Sequence, residues 1–118
     1  MAVRVIGRGD VVQVNLDPTV GTEIKKSRPC VVVQNDTGNK ISQRTIIVPA
    51  TGAEHVAKQF PVYVPVSAGD GGFKKNSVIL CDQIRAVDKA RVAKTLGRIS
   101  PATMERVDVA LKISLGLT

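Results

Sequence analysis

Aromatic side chains are scarce in this sequence: Phe60, Tyr63 and Phe73 are the whole set, and tryptophan is absent. Proteins that hold single-stranded bases by stacking use several such rings, so a grip on nucleic acid here would rest chiefly on charge and hydrogen bonds. Histidine is nearly missing as well. His55 stands alone between Glu54 and Val56 in a polar stretch, where an isolated histidine is usually no more than exposed surface. Serine or cysteine nucleophiles need a nearby base, and this residue is the only ordinary candidate.

Two cysteines, Cys30 and Cys81, each sit in an apolar run at a spacing that fits no zinc pattern. Buried, reduced, structural thiols are the expectation. No apolar run approaches the roughly 20 residues that span a bilayer. The segment Met1–Asp10 carries Arg4 and Arg8 but lacks the apolar stretch of a signal peptide. The expectation is a cytosolic protein with no membrane segment. A phosphate-binding Gly-Lys-Ser/Thr loop, a dinucleotide fingerprint and His-Glu-x-x-His are all absent. The ten carboxylates are scattered and suggest no two-metal site, so neither metal nor cofactor is expected.

What is present is length for one domain, 1–118, and a strong excess of positive charge. Seventeen Lys and Arg against ten Asp and Glu give +7, with a sequence pI near 9.9. Such a balance favours polyanionic partners through steering and counterion release, although a basic surface can also serve solubility alone.

The pattern along the chain is mostly of strands. Asp10–Leu16 alternates loosely and is rich in Val; Cys30–Gln34 is a continuous β-branched run; Thr45–Pro49 is another short β segment. Val62–Val66 carries prolines that suit an edge strand, and Ser77–Val87 reads as one further strand. The turn formers Asn35–Asn39 and Ala68–Gly72 separate these runs. Asp88–Thr95 is ambiguous and could be one short helix closed by Gly97. Ser100-Pro101 signals an N-cap followed by proline in the first turn, and Met104, Val107, Leu111 and Leu115 recur at helical spacing as a core stripe. Five or six short strands closed by a terminal helix suggest a small barrel or roll.

Polar residues gather beside these strands. Glu23, Lys25, Lys26 and Arg28 crowd one loop, Thr51 follows Pro49-Ala50, and Asp82-Gln83-Ile84-Arg85 interrupts an apolar run. Alternation would put Gln83 and Arg85 on one face. On periodicity alone, these residues read better as strand ends on a solvated sheet face than as a functional site.

A longer pattern distinguishes the two readings. Arg8-Gly9-Asp10-Val11-Val12, then Leu16–Glu23, then Arg28–Asp36 resemble the N-terminal half of MazF/PemK toxins. Ser77–Lys89 resembles that family's second signature, and Leu96–Ser100 with Met104 and Val107–Leu111 continues the likeness. The resemblance covers nearly the whole chain in the family's order. It departs at Gln13, where the family often has an aromatic residue, at Ile24, where many relatives have glutamine, and at Gly52, which replaces a small hydroxyl residue.

The resemblance implies an SH3-like barrel with a C-terminal helix, paired as a homodimer with a groove for single-stranded RNA. It implies sequence-specific, metal-free cleavage that leaves a cyclic phosphate and a 5′-hydroxyl, and it places the catalytic pair on Arg28 and Thr51. A guanidinium and a hydroxyl can meet the charge that builds on phosphoryl oxygens as a ribose 2′-hydroxyl attacks. Arginine holds its proton too tightly to be a good base, so Arg28 reads as a stabiliser or as acid to the leaving oxygen. Glu23 is a candidate for the base or for substrate positioning, with a surface pairing to Lys25 or Lys26 as its plainer role. Gln83 and Arg85 would position RNA through base-edge and phosphate contacts, Arg85 being equally compatible with a structural role. Lys25, Lys26, Lys74 and Lys75 would add nonspecific attraction. The implied protein partner is a cognate antitoxin with an acidic tail, which would seek the same basic surface as RNA. Two other readings stand beside this one: a CcdB-like gyrase poison on the same barrel, and a basic SH3-like module that binds RNA without cutting it.

Overall fold

A computed structural model describes residues 5–118, so Arg4 lies outside the described residues. Its strands are β1 (Asp10–Asn15), β2 (Ser27–Val32), β3 (Arg44–Gly52), β4 (Tyr63–Val66), β5 (Ser77–Leu80), β6 (Arg85–Asp88) and β7 (Val92–Arg98). Two α-helices, α1 (Asp36–Ile41) and α2 (Pro101–Ser114), complete the elements that matter here. The described residues thus form seven strands rather than five or six. All pairings are antiparallel, in the order β4-β5-β3-β2-β1-β7 with β6 beside β3.

Long β3 organises the sheet because it changes partners along its length. Its start pairs with β6, its middle with β2 and its end with β5. The run Ser77–Val87 is consequently not one strand. Ile47 pairs with Arg85 and Ala50 with Ile79, so β3 advances three residues while its partner advances six. The three extra residues leave the ladder as an excursion through Asp82–Ile84, in the manner of an enlarged β-bulge. Asp82 and Gln83 reach the surface there because the sheet has no place for them.

Two other expectations change. Asn35–Asn39 is not a turn but the start of α1: the Asn35 side chain accepts from the Gly38 N–H as an N-cap. The residue types that make turns also cap helices, which is why composition did not distinguish them. Asp88–Thr95 holds a single 3₁₀ turn at Lys89–Arg91, and β7 follows it, with Gly97 inside that strand. Pairing with β1 supplies the order that local propensity lacks.

The sheet buries both faces. Val11, Val31, Val48, Ile79 and Phe73 pack on one side with Val107 and Ala110 of α2. Val12, Val14, Leu16, Cys30, Val32 and Ile47 fill the other. The buried stripe of α2 is Thr103, Val107 and Ala110, with Met104 and Leu111 flanking it, whereas Leu115 is 58% exposed. Both cysteines are free and buried, as expected of structural thiols.

The ends of the sheet meet through glycine. A Cβ on Gly97 of β7 would stand 2.6 Å from the Gly71 carbonyl oxygen, and one on Gly72 would stand 2.3 Å from that of Leu96. Backbone therefore packs on backbone where the segment after β4 crosses β7, and the sheet curls into a roll. Asp70, in the same segment, accepts from the Ser100 N–H at 2.8 Å and from the Thr103 hydroxyl at 2.6 Å, fixing the start of α2.

Candidate functional site

Strand register brings Arg28 to Thr51. Cys30 pairs with Pro49 across β2 and β3. Two residues outward along each strand are Arg28 and Thr51, on the same face because side chains alternate. Pro29 and Pro49 offer no N–H to the ladder, and the paired segment stops at Cys30. The Arg28 side chain then spans the opened end: Nη1 donates to Thr51 Oγ1 at 3.3 Å, while Nε donates to the Lys25 carbonyl at 2.7 Å. Both side chains are half-buried. Among the described residues no carboxylate forms an ion pair with Arg28. A held, uncompensated guanidinium beside a hydroxyl is an arrangement that receives an anion.

Two adjoining clefts open near this pair, and Thr51 lines the second. One, of about 410 Å³, is lined by Glu23, Ile24, Pro49, Gln83 and Arg85 among others. The second, of about 480 Å³, includes Thr51, His55, Lys58 and Tyr63. Thr22, Ile24 and Gln83 belong to both and form their common wall. The excursion after β5 thus projects directly over the site.

Each sequence-derived candidate has a definite place. Gln83 lies outside any strand, contrary to the alternation argument, yet it lines the same cleft as Arg85. Its Oε1 accepts from the Ile24 N–H at 2.7 Å, which fastens the loop between β1 and β2 to the excursion. Arg85 donates from Nη1 to the Leu16 carbonyl at 2.7 Å. Glu23 accepts from the Val20 N–H at 2.7 Å and is in no ion pair with Lys25 or Lys26 among the described residues. Lys25, Lys26 and Lys74 are exposed. Lys26 adopts φ 75°, a left-handed turn that any side chain resists, and it directs the chain so that the Lys25 carbonyl meets Arg28. Lys75 is tied to Glu54 at 2.5 Å, at the far end of β3.

Electrostatics separate the inert groups from the available ones. Burial pushes the Cys30 thiol up to about 12, against the pull of the nearby Arg28 and Arg85 charges. Burial likewise pushes Cys81 up to about 12, with Asp82 and Asp108 adding to the effect. Neither thiol is a nucleophile at neutral pH. Lys75 and a backbone hydrogen bond hold the Glu54 carboxyl below its usual value. Among the described residues no three His, Cys, Asp or Glu side chains cluster as metal ligands, and no helix is long and apolar enough to cross a membrane.

His55, Phe60 and Tyr63 are the residues that sequence reasoning left outside the site. A 3₁₀ turn at Ala53–His55 follows β3 directly and carries His55 into the cleft that holds Thr51. Phe60 and Tyr63 pack edge to face at 5.2 Å along the same cleft. Two of the three aromatic residues are therefore collected at the site.

A curled antiparallel sheet with a terminal helix and a basic, polar cleft at the open end of β2 and β3 defines a class of small β-roll proteins. Comparison narrows it. The model of the PemK-like, MazF-like toxins of type II toxin–antitoxin systems matches residues 7–115. The chain is 41% identical over 113 residues to Endoribonuclease EndoA of Bacillus subtilis (strain 168), spanning 96% of this chain and 97% of that relative. It superposes on MazF from Deinococcus radiodurans with a TM-score of 0.81 at 27% identity, covering 96% and 98% of the two chains. A MazE–MazF structure from the same organism gives a TM-score of 0.76 at 27% identity, covering 98% and 99%. This chain belongs to the PemK-like, MazF-like toxin family.

Proposed function

We propose that the protein is an endoribonuclease toxin that cuts single-stranded RNA at short sequence motifs and leaves a 2′,3′-cyclic phosphate and a 5′-hydroxyl. The observation that carries this reading is the Arg28–Thr51 pair, 3.3 Å apart and free of a competing carboxylate among the described residues. Attack by the 2′-hydroxyl on the adjacent phosphorus concentrates negative charge on the nonbridging oxygens. Arg28 meets that charge with fixed N–H donors, and the Thr51 hydroxyl adds another, so the charge is stabilised without a metal ion. Glu23 acts as base or positions the substrate. Gln83 and Arg85 position the RNA, and Lys25, Lys26, Lys74 and Lys75 draw it in.

The same reading takes the protein as a homodimer, held in check by a cognate antitoxin with an acidic segment. Val109, Ile113, Leu115 and Leu117 near the C-terminus are each at least 41% exposed in one copy and supply apolar surface for association. The +7 charge suits an acidic partner that competes with RNA. The relatedness to MazE–MazF of D. radiodurans supports this partnership. A gyrase poison has no use for a half-buried Arg28–Thr51 pair.

The test is incubation of the purified protein with a long single-stranded RNA in EDTA, beside Arg28→Ala and Thr51→Ala. Discrete fragments are expected from the unaltered protein, with a loss of about 100-fold or more in each variant. Undiminished cleavage by folded Arg28→Ala would overturn the mechanism. Gyrase inhibition without RNA cleavage would install the rival reading.

A further inference from the structure

Cleavage of RNA by its own 2′-hydroxyl needs a proton delivered to the departing 5′-oxygen. Arginine releases protons too reluctantly to do this well at neutral pH, and a threonine hydroxyl is weaker still as an acid. The cleft that holds Thr51 contains one side chain whose ordinary titration falls between pH 5 and 8, the imidazole of His55. We propose that His55 is the general acid of this reaction, donating a proton to the 5′-oxygen as its bond to phosphorus breaks.

The placement supports this role. His55 closes the 3₁₀ turn that begins where β3 ends, so the strand carrying Thr51 also places the His55 backbone. Its Nε2 lies 3.4 Å from Glu54 Oε2, which leaves Nδ1 for the substrate. Lys75 binds the same carboxylate oxygen. Lys58 and Tyr63 line the cleft, and Arg28 reaches its edge through Thr51. Of these, only Glu54 opposes the cationic charge of the two lysines and Arg28. The side chain is 64% exposed, and RNA laid across Thr51 would be the group that covers it.

The adjoining cleft holds Glu23 across the shared wall of Thr22, Ile24 and Gln83. An in-line displacement wants its base and acid on different sides of the phosphorus, and the two clefts offer a carboxylate and an imidazolium so separated. The step balances. The 2′-oxygen bonds to phosphorus and gives its proton to Glu23, the 5′-oxygen leaves with the proton of His55, and exchange with water resets both groups. This assignment rests on the RNA-cleaving reading above.

Single-turnover cleavage of an RNA oligonucleotide containing a site cut in a long transcript provides the test, from pH 5 to 9, with the full chain and His55→Gln. A second substrate carries sulfur in place of the 5′-bridging oxygen, since a thiolate leaves without help from an acid. The variant should lose about 100-fold on the oxygen substrate and the alkaline fall of the rate, yet cut the sulfur substrate within a few-fold of the unaltered protein. Equal thermal midpoints for the two proteins would show that the fold is intact. Cleavage by His55→Gln within threefold and with the same pH profile overturns the assignment while leaving the nuclease reading in place. Equal losses on both substrates also overturn it, because they indicate positioning rather than proton delivery. Failure of the unaltered protein to cut any RNA removes both readings.

Discussion

Arg28 Nη1 meets Thr51 Oγ1 at 3.3 Å, across the point where β2 and β3 have ceased to pair. The contact depends on the guanidinium as a fork, because Nε is held at the same time by the Lys25 carbonyl at 2.7 Å. A lysine at this position would keep the charge and lose the fork. Arg28→Lys should therefore bind RNA within a few-fold of the unaltered protein while cutting it about 100-fold more slowly. Binding to a 2′-deoxy analogue, measured beside single-turnover cleavage, separates the two effects. Undiminished cleavage by Arg28→Lys would show that Arg28 serves only as a point charge.

Gln83 acts one step further from the chemistry. Its Oε1 is the hydrogen-bond partner of the half-buried Ile24 N–H, and this bond ties the loop bearing Glu23 to the excursion after β5. Gln83→Leu preserves bulk and leaves that donor unpaired, at a cost of about 1–3 kcal/mol. The loop should loosen, with an apparent RNA affinity lower by roughly tenfold, the scale of that bond. Gln83→Glu retains an acceptor and should restore loop protection in hydrogen exchange at Ile24. If Gln83→Leu leaves that exchange unchanged, the residue does not hold the loop.

The sequence carried the β character, the terminal helix and both buried cysteines, because each is a local matter of branching, spacing or capping. Arg28 and Thr51 could be named only through family likeness. Their meeting depends on a register set by Cys30 and Pro49, which no window of neighbouring residues contains. The break in Ser77–Val87 was hidden for a similar reason. Its apolar residues fit one strand well, and only the mismatch with β3 expels Asp82–Ile84. His55 was visible as the lone histidine but lacked a location. The turn at Ala53–His55 provides it, and nothing in that short polar stretch announces its direction.

The cysteines should behave as core. With both thiols buried and pushed up to about 12, a thiol reagent at pH 8 should label neither in the folded protein and both after denaturation. Labelling that keeps pace with local opening rather than global unfolding would contradict their burial in the two core clusters. Mass spectrometry after timed exposure distinguishes the two.

The glycine contact between the ends of the sheet is open to a direct test. Gly72 has φ 81°, and a Cβ there would lie 2.3 Å from the Leu96 carbonyl oxygen. Since the obstacle is backbone, a rotamer change cannot relieve it. Gly72→Ala should destabilise the protein by about 2–3 kcal/mol, combining overpacking with a left-handed backbone that alanine resists. Gly69 has φ 95° and nothing within 4 Å of an added Cβ, so Gly69→Ala isolates the conformational part and should cost less. Equal losses in chemical denaturation would show that conformation alone, not the crossing, explains both.

Asp70 gives the crossing a pH dependence. Burial acts to raise its pKa, but hydrogen bonds from Thr103, the Ser100 backbone and the Ser100 hydroxyl outweigh burial and lower it below the usual 3.8. A carboxyl whose folded value is depressed favours folding above its unfolded value. That contribution disappears as pH falls from the unfolded value through the folded one. Asp70→Asn keeps the shape and removes the charge, replacing one acceptor with a donor against the Ser100 hydroxyl and Thr103. At pH 7 the variant should be less stable by about 1.5–3 kcal/mol, the range for hydrogen bonds to a charged group. Between pH 4 and 2 the gap should narrow, because the native carboxyl is then neutral too. Asp36 and Glu54 are also depressed, but both proteins retain them and their effects cancel in the difference. A gap that stayed constant down to pH 2 in urea denaturation would mean that the charge of Asp70 contributes nothing to the cap of α2.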